Sequence, residues 1–374
     1  MKNIVNLGNV ATYINGYAFK PSDWAEDGTP IIRIQDLTGN SYQMNRFKGI
    51  VDSKYDVNSG DVLISWSASL GVYVWNRGNA VLNQHIFKVV FDKEEVDKDF
   101  FVFQIDNLLK RAANQAHGAT MRHLTKPVFD ALPFYLPDIK TQRLISSKLN
   151  LIVHLIEDHH EQLKKLDELI RSRFIEMFGD LINEPKYPGI KLGSLGVMIT
   201  GGTPSRKHDE YYGGNIPFIS TPCLGSNFIS EKNVQNYLTE AGVKNSATHK
   251  IPPYSLMVGN RVGVGKSSIN TCEMCTNQDI LSFVDIDTSR FDLLFLKKVI
   301  DQYSPYFDEH KRGATIQGVP SKVIKDSMVP DVPLEMQKRY TALVKQSDKS
   351  KLAVQKSLDE LEILKKSLMQ TYFG

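Results

Sequence analysis

The triplet Gly118-Ala119-Thr120 returns as Gly313-Ala314-Thr315, a shift of 195 residues in a chain of 374. The same shift carries Gln142 onto Gln337, Ser172 onto Ser367 and Phe178-Gly179 onto Phe373-Gly374. It also carries Leu163, Leu166 and Leu169 onto Leu358, Leu361 and Leu364. Upstream the frame slips. Asn83-Gln84 meets Asn277-Gln278 and Gly71 meets Gly265 at 194, Pro30–Ile34 meets Pro217–Thr221 at 187, and Leu7-Gly8 meets Leu192-Gly193 at 185. Slipping offsets are what loops of unequal length on one scaffold produce. The chain is therefore two copies of one unit, a mixed globular part followed by a long helix. Two copies are too few for a solenoid and suggest a pseudo-two-fold molecule.

The helical part is the most regular. Ile145, Leu149, Ile152, Ile156, His159, Leu163, Leu166, Ile170, Arg173 and Met177 follow a 4-3 spacing, with no Gly or Pro from 139 to 178. That is a heptad seam. The second copy gives Val344, Val354, Leu358, Leu361, Leu364 and Leu368, interrupted by Lys351 and Lys365. A helix of some forty residues is about 60 Å long. One globular domain rarely needs that, so the two helices are expected to pair as an antiparallel coiled-coil spacer. His159 and Arg173 either fix register or lie at the edge of a slightly rotated stripe carrying Leu155 and Phe174. The second reading is preferred.

In the first globular part PIIRIQDL, DVLISW, VYVWN, HIFKVVFD and LPFYLP read as strands, with a helix over 99–115 and a short one through Val128-Phe129. In the second, IPFIST, YSLMVG and DILSFVDI match the strands and RFDLLFLKKVIDQYS the helix. Strands followed by helices predict an α+β fold rather than a doubly wound parallel sheet. The expected domains are 1–138, a central helix 139–180, 181–333 and a C-terminal helix 334–374.

Composition restricts function. Residues 1–138 carry 14 Lys/Arg against 15 Asp/Glu, and residues 180–333 carry 16 against 16. Bulk electrostatics alone would not hold either part on DNA. Local basic loops, base-edge contacts or a partner's phosphate grip would be needed. No apolar run has membrane-spanning length, and the start lacks secretory signal features. Three cysteines do not make a disulfide framework. A cytoplasmic protein is expected.

Three motifs fall short of a chemistry. Val262–Ser268 ends like a phosphate-binding loop, but Asn260 occupies the position of the required first Gly. Ile251-Pro-Pro-Tyr254 resembles the Asn/Asp-Pro-Pro-aromatic motif of amino-methylating DNA methyltransferases. Ile251 cannot accept the amine's hydrogen bonds. Cys272 and Cys275 form one CxxC with Cys223 distant, and a zinc site would need a fourth ligand such as His249, so ordinary buried thiols are the better reading. No catalytic, cofactor or metal site is assigned.

The order of the remaining motifs is specific. Gly201–Ser220, Asn260–Lys266, Asn277–Ile280 and Gly313–Asp326, followed by Val332–Gln337, resemble a target recognition domain in the specificity subunit of type I restriction-modification enzymes. PIIRIQDL, GDVLISW, NQHIF and the stretch from Gly118 repeat the pattern more loosely. Gly16-Tyr17-Ala18 stands where the second copy has Gly-Thr-Pro. The resemblance implies two pseudo-symmetric recognition domains, each reading one half of a bipartite double-stranded DNA target. The helices would set the gap and dock two methyltransferase subunits, which carry S-adenosylmethionine. Translocase-nuclease subunits using ATP and Mg can join. The chain itself would be a non-catalytic DNA-binding subunit with no cofactor and no membrane. The alternative is an inactive or decoy specificity-like protein without active partners.

Two halves reading different sequences should differ where they read. Arg33 and Gln35 oppose Ser220 and Pro222, Arg122 and His123 oppose Gln317 and Gly318, and Arg261 opposes Ser67. Arg206, Lys207 and His208 have no close counterpart, Gln43, Asn45 and Arg46 lie in a variable stretch, and Lys266 follows the glycine turn. These residues, except the counterparts Ser220, Pro222, Gly318 and Ser67, are the DNA-contact candidates. Arg suits guanine and Asn or Gln suits adenine in the major groove. The commoner role for each is a solvated or phosphate-contacting group. The two Gly-Ala-Thr triplets and the Asn-Gln pairs are assigned to turn geometry, with adenine contact by Gln84 and Gln278 as the rival reading.

Overall fold

The computed structural model describes residues 3–40, 43–67, 69–115, 125–313 and 317–374. The chain divides into two compact units, residues 1–160 with 356–374, and residues 161–355. The division cuts both long helices, so each unit contains a piece of each.

In the first unit an antiparallel sheet orders Thr12–Asn15, Ile86–Val90, Val62–Ser65 and Gly71–Val74. A second sheet orders Arg46–Phe47, Thr29–Ile32, Ala80–Leu82 and Asp56–Val57, its middle pair parallel. The run Val62-Leu63-Ile64 is apolar without alternation because both faces of its strand are buried. Val62 and Ile64 join a core with Phe87, Phe100, Phe129 and Phe134, while Leu63 joins one with Ile32 and Leu82. The helix Lys98–Gln115 closes the first of these cores with Phe100, Phe101 and Ile105.

The second unit repeats the plan. Val197–Thr200, Ile280–Val284, Leu256–Gly259 and Ser267–Asn270 form the first sheet, extended by an edge strand, Phe228–Ile229. Asn236–Leu238, Tyr212–Ile219, Met274–Thr276 and Lys250–Ile251 form the second, again with a parallel middle pair. Leu256 and Val258 face one core and Met257 another. The fold is α+β, with one strand order used twice.

The offsets read from sequence recur as hydrogen bonds. Gly16 N donates to Ile86 O as Gly201 N does to Ile280 O, and Asn83 N donates to Ile32 O as Asn277 N does to Ile219 O. Gly16 and Gly201 are needed for close approach. A Cβ at either would lie 2.0 Å from Asn83 O or 2.2 Å from Asn277 O. Two local readings change. Gly71 pairs with Ser65, whereas Gly259 donates to Lys266 O, so Lys266 rather than Gly265 is the counterpart of Gly71. Ile34–Leu37 is a helical turn rather than the end of a strand, because the buried Asp36 accepts from Arg33 N and turns the chain.

Gln142 and Gln337 do identical work. Gln142 Oε1 accepts from Asp97 N at 2.9 Å and its Nε2 donates to Pro137 O and Glu95 O. Gln337 Oε1 accepts from Asp292 N at 2.9 Å and its Nε2 donates to Val332 O and Arg290 O. Each glutamine ties the start of a long helix to the start of a domain helix, which Asp97 or Asp292 then caps.

The long helices span Ile139–Phe178 and Leu334–Phe373, 40 residues each. They pair antiparallel within each unit. In the first, His159 Nε2 lies 3.0 Å from Ser357 Oγ, while Phe373 packs with Phe100, Ile145 and Leu149. In the second, Tyr340 OH donates to Ile170 O, Lys351 pairs with Asp167, and Phe174 and Phe178 pack on Phe295 and Tyr340. Of the expected stripe, Phe174 is buried but Leu155 is exposed, Arg173 points outward to Glu176, and Leu364 is exposed while Lys365 is half-buried. None of the described helices is long and apolar enough to cross a membrane.

Candidate nucleic-acid interface

In the second unit the strands ending at Thr200 and Gly259 run side by side in direction, both antiparallel to Ile280–Val284. Their following loops therefore open on the same rim as the Asn277-Gln278 turn. Thr203 Oγ1 donates to Gln278 Oε1, Asn260 N donates to Asp279 O, and Val319 N donates to Asn260 O. Arg312 and Gly318 exchange backbone hydrogen bonds across the base of the Gly-Ala-Thr loop. Thr200, Asn260, Arg261, Gln278, Arg312 and Ser321 line a polar cleft of about 490 Å³ there. Arg261 lies 3.5 Å from Asp279 and is half exposed.

Of the remaining second-unit candidates, Gln317 lies at this rim, Arg206–His208 follow Thr203 in the loop that reaches it, and Lys266 lies elsewhere. Gln317 is exposed beside the Arg312–Gly318 bridge. Arg206 is exposed with no ion pair or hydrogen bond to another described residue. Lys207 donates its backbone N to Ser205 Oγ. His208 stacks on Tyr211 and contacts Glu210. The Glu210 carboxyl is held below its usual range by its own backbone N–H and then by the His208 ring. Lys266 points into a different cleft, with Lys297, Lys298, Asp301, Asp348 and Lys351.

The first unit builds its rim from Gly16-Tyr17, the Asn83–His85 turn and the residues after Ile32. Gln84 N donates to Tyr17 O, and Trp66 Nε1 donates to Asn15 Oδ1. Arg33 is mostly buried. Its N and Nε donate to Asp36 Oδ2 at 2.9 and 3.4 Å, and its guanidinium carbon sits 5.7 Å from the Trp24 ring centre. With its amide oxygen turned toward the donors, Asn45 accepts from Arg33 Nη1 at 3.1 Å and Trp24 Nε1 at 3.2 Å. Gln35 and Gln43 are exposed. Arg46 Nη1 donates to Gly28 O. Arg122 and His123, like Gly118–Thr120 and Ala314-Thr315, lie outside the described residues.

Sequence reasoning missed Trp24, Asp36, Asp279 and Arg312. Asp36 was findable as the acidic third residue of a turn beginning at Arg33. Arg312, immediately before the second triplet, carries no local signal, since its place is set by the exchange of backbone hydrogen bonds with Gly318. The CxxC thiols are unsuited to chemistry. Burial pushes Cys275 up to about 11, against a lowering hydrogen bond from Thr248, and burial also raises Cys272.

A unit with a polar, loop-built rim on a double-sheet scaffold, made twice and connected by paired long helices, defines a duplicated recognition protein. Residues 2–168 and 187–362 each match the type I restriction modification DNA specificity domain, and the chain belongs to that family. The EcoBI specificity subunit of Escherichia coli is 25% identical over 170 residues, 45% of this chain and 35% of that subunit. The alignments with the curated relatives MjaIX and EcoBI span about a third of those relatives' length. Two solved structures share the fold. A chain of a type I R-M system covers 99% of this chain and 97% of its own, with a TM-score of 0.64 at 15% identity. The S subunit from M. genitalium covers 100% and 96%, with 0.57 at 12%.

Proposed function

We propose that this chain is the non-catalytic DNA-reading subunit of a type I restriction-modification complex. Each unit reads one half of a bipartite double-stranded target. The helices set the gap and dock two methyltransferase subunits, which bring S-adenosylmethionine, and translocase-nuclease subunits using ATP and Mg join that complex. The observation that carries the reading is the duplicated rim. Two scaffolds that share backbone hydrogen bonds at Gly16 and Gly201 and at Asn83 and Asn277 present different side chains at equivalent positions, Arg33 against Ser220 and Ser67 against Arg261. Shared backbone with divergent rim chemistry suits two readers of different sequences. Near-neutral units fit a complex in which partners supply part of the phosphate grip.

The test is a methylome. The chain is co-expressed with its methyltransferase partner in an unmethylated host, and methyladenine is mapped genome-wide. Two short defined halves around a fixed gap are expected. A continuous motif would refute the two-reader arrangement. No methylation from an assembled complex would favour the inactive, decoy class.

A further inference from the structure

We infer that Arg33 reads a guanine in the half-site of the first unit, with Asp36, Asn45 and Trp24 as the positioning residues that aim it. This rests on the DNA-reading function proposed above and goes further by naming residue and base.

Arg33 follows Ile32, whose carbonyl accepts from Asn83 N, so it stands on the rim beside the Asn83–His85 turn. The Asp36 side chain is 0% exposed and its ion pair is with Arg33, itself 17% exposed. A buried carboxylate is costly unless its partner is fixed in place, so the guanidinium cannot wander. Trp24 covers one face and Asn45 holds Nη1. A guanidinium has five N–H donors. Nε–H goes to Asp36 and one Nη1–H goes to Asn45. Among the described residues nothing takes the other three, at the forked end, and guanine O6 and N7 need two of them side by side. An arginine held along its stem with its fork unspent is preorganised for that contact.

The fold does not require this arrangement. The turn needs only the Arg33 backbone N–H, which any residue but proline supplies. At the same place in the second unit stand Ser220 and Cys223, and the chain makes its 3-10 turn without an ion pair. The competing role is that Arg33 merely neutralises Asp36.

Arg33→Lys separates the two. Lysine keeps the positive charge beside Asp36 but has no planar fork. The assembled complex with its methyltransferase would be compared as wild type, R33K and D36N, by methylome and by binding to duplexes carrying 7-deazaguanine at each guanine in turn. The expected result is that R33K and D36N relax the same single G·C position of one half-site, by about tenfold or more, and leave the other half unchanged. Deaza substitution at that guanine should weaken wild type but add nothing to R33K. Unchanged preference in R33K would make Arg33 a counter-ion only. Uniform weakening on all sequences would make it a phosphate contact. Either overturns the inference. If the variants fail to fold, the wild-type deaza series still decides, since indifference at every guanine also overturns it. Failure of the wild-type complex to yield a split motif would instead sink the underlying DNA-reading proposal, and this inference with it.

Discussion

Replacing Gln337 by Leu tests whether the two glutamines are clamps or fillers. The side chain is 0% exposed, so the leucine would stay buried. The substitution strands three groups: the Asp292 N–H, the Arg290 carbonyl and the Val332 carbonyl. The Val332 contact is buried and should cost about 1–3 kcal/mol on losing its partner. The other two are partly buried, and water can recover part of their cost, leaving roughly 0.5–1 kcal/mol each. Leucine's apolar gain offsets about 1 kcal/mol. The net loss is therefore about 1–4 kcal/mol, confined to the second unit. Gln142→Leu should cost less, because its contacts are all partly buried and one is stretched to 3.3 Å. Denaturant unfolding gives the sizes, and hydrogen exchange at the Asp97 and Asp292 amides shows which unit has loosened. A Gln337→Leu loss below about 0.5 kcal/mol, or unchanged protection at Asp292, would refute the clamp argument.

Tyr254 holds φ at 63° with its side chain 64% exposed, where the first unit has Gly60 at 101°. Tyr254→Gly should raise stability by about 0.5–1 kcal/mol, since relief of left-handed strain exceeds the added unfolded-state entropy; a fall in Tm would contradict this. Lys297 is buried against Asp301, and burial pushes its ammonium below the usual range while Asp301 opposes that shift. Because Val102 stands at the equivalent place and Lys298 also reaches Asp301, Lys297→Met should change stability by no more than about 1 kcal/mol by calorimetry. Arg206→Ala should relax one half-site of the methylated motif and leave the other intact, whereas equal weakening on all sequences would mark a phosphate contact. The Thr141 hydroxyl, then its N–H, holds the Asp138 carboxyl below its usual range. Its capping contribution is thus complete above the ordinary carboxylate pKa and is lost as pH falls through the depressed one, which a carboxyl chemical-shift titration, with Asp138→Ala as control, would show.

Much of the scaffold was legible because it rests on periodicity and repetition. The heptad spacing gave both long helices, and the 185, 187 and 194 offsets predicted backbone pairings later found at Gly201, Ser220 and Asn277. The exact stripe was less legible. Leu155 and Leu364 carry the right chemistry at a position that the partner helix does not cover, whereas His159 is kept inward by Ser357. Site residues were harder still. Arg33 and Arg206 look alike in a sequence, yet one is pinned by Asp36, Trp24 and Asn45 and the other is exposed without a described partner. Asp36 is legible locally, three residues after Arg33, but the contacts of Trp24 and Asn45 are made by the fold and no local pattern encodes them.

The cores explain why the repeat is not two independent domains in series. Phe373, at the end of the second helix, packs 5.4 Å from Phe100 in the first unit. Phe178, at the end of the first helix, packs 4.9 Å from Phe295 in the second. Phe100 and Phe295 are themselves counterparts at the 195 shift. Each core is thus closed by the far end of a helix that starts in the other copy. Truncating either phenylalanine should cost about 3–5 kcal/mol in the unit that receives it, not in the unit whose repeat encodes it. The first helix is held by Ile145 and Leu149 in one core and Phe174 and Phe178 in the other, and the second by Tyr340 and Phe373, so neither can slide in register without opening a core.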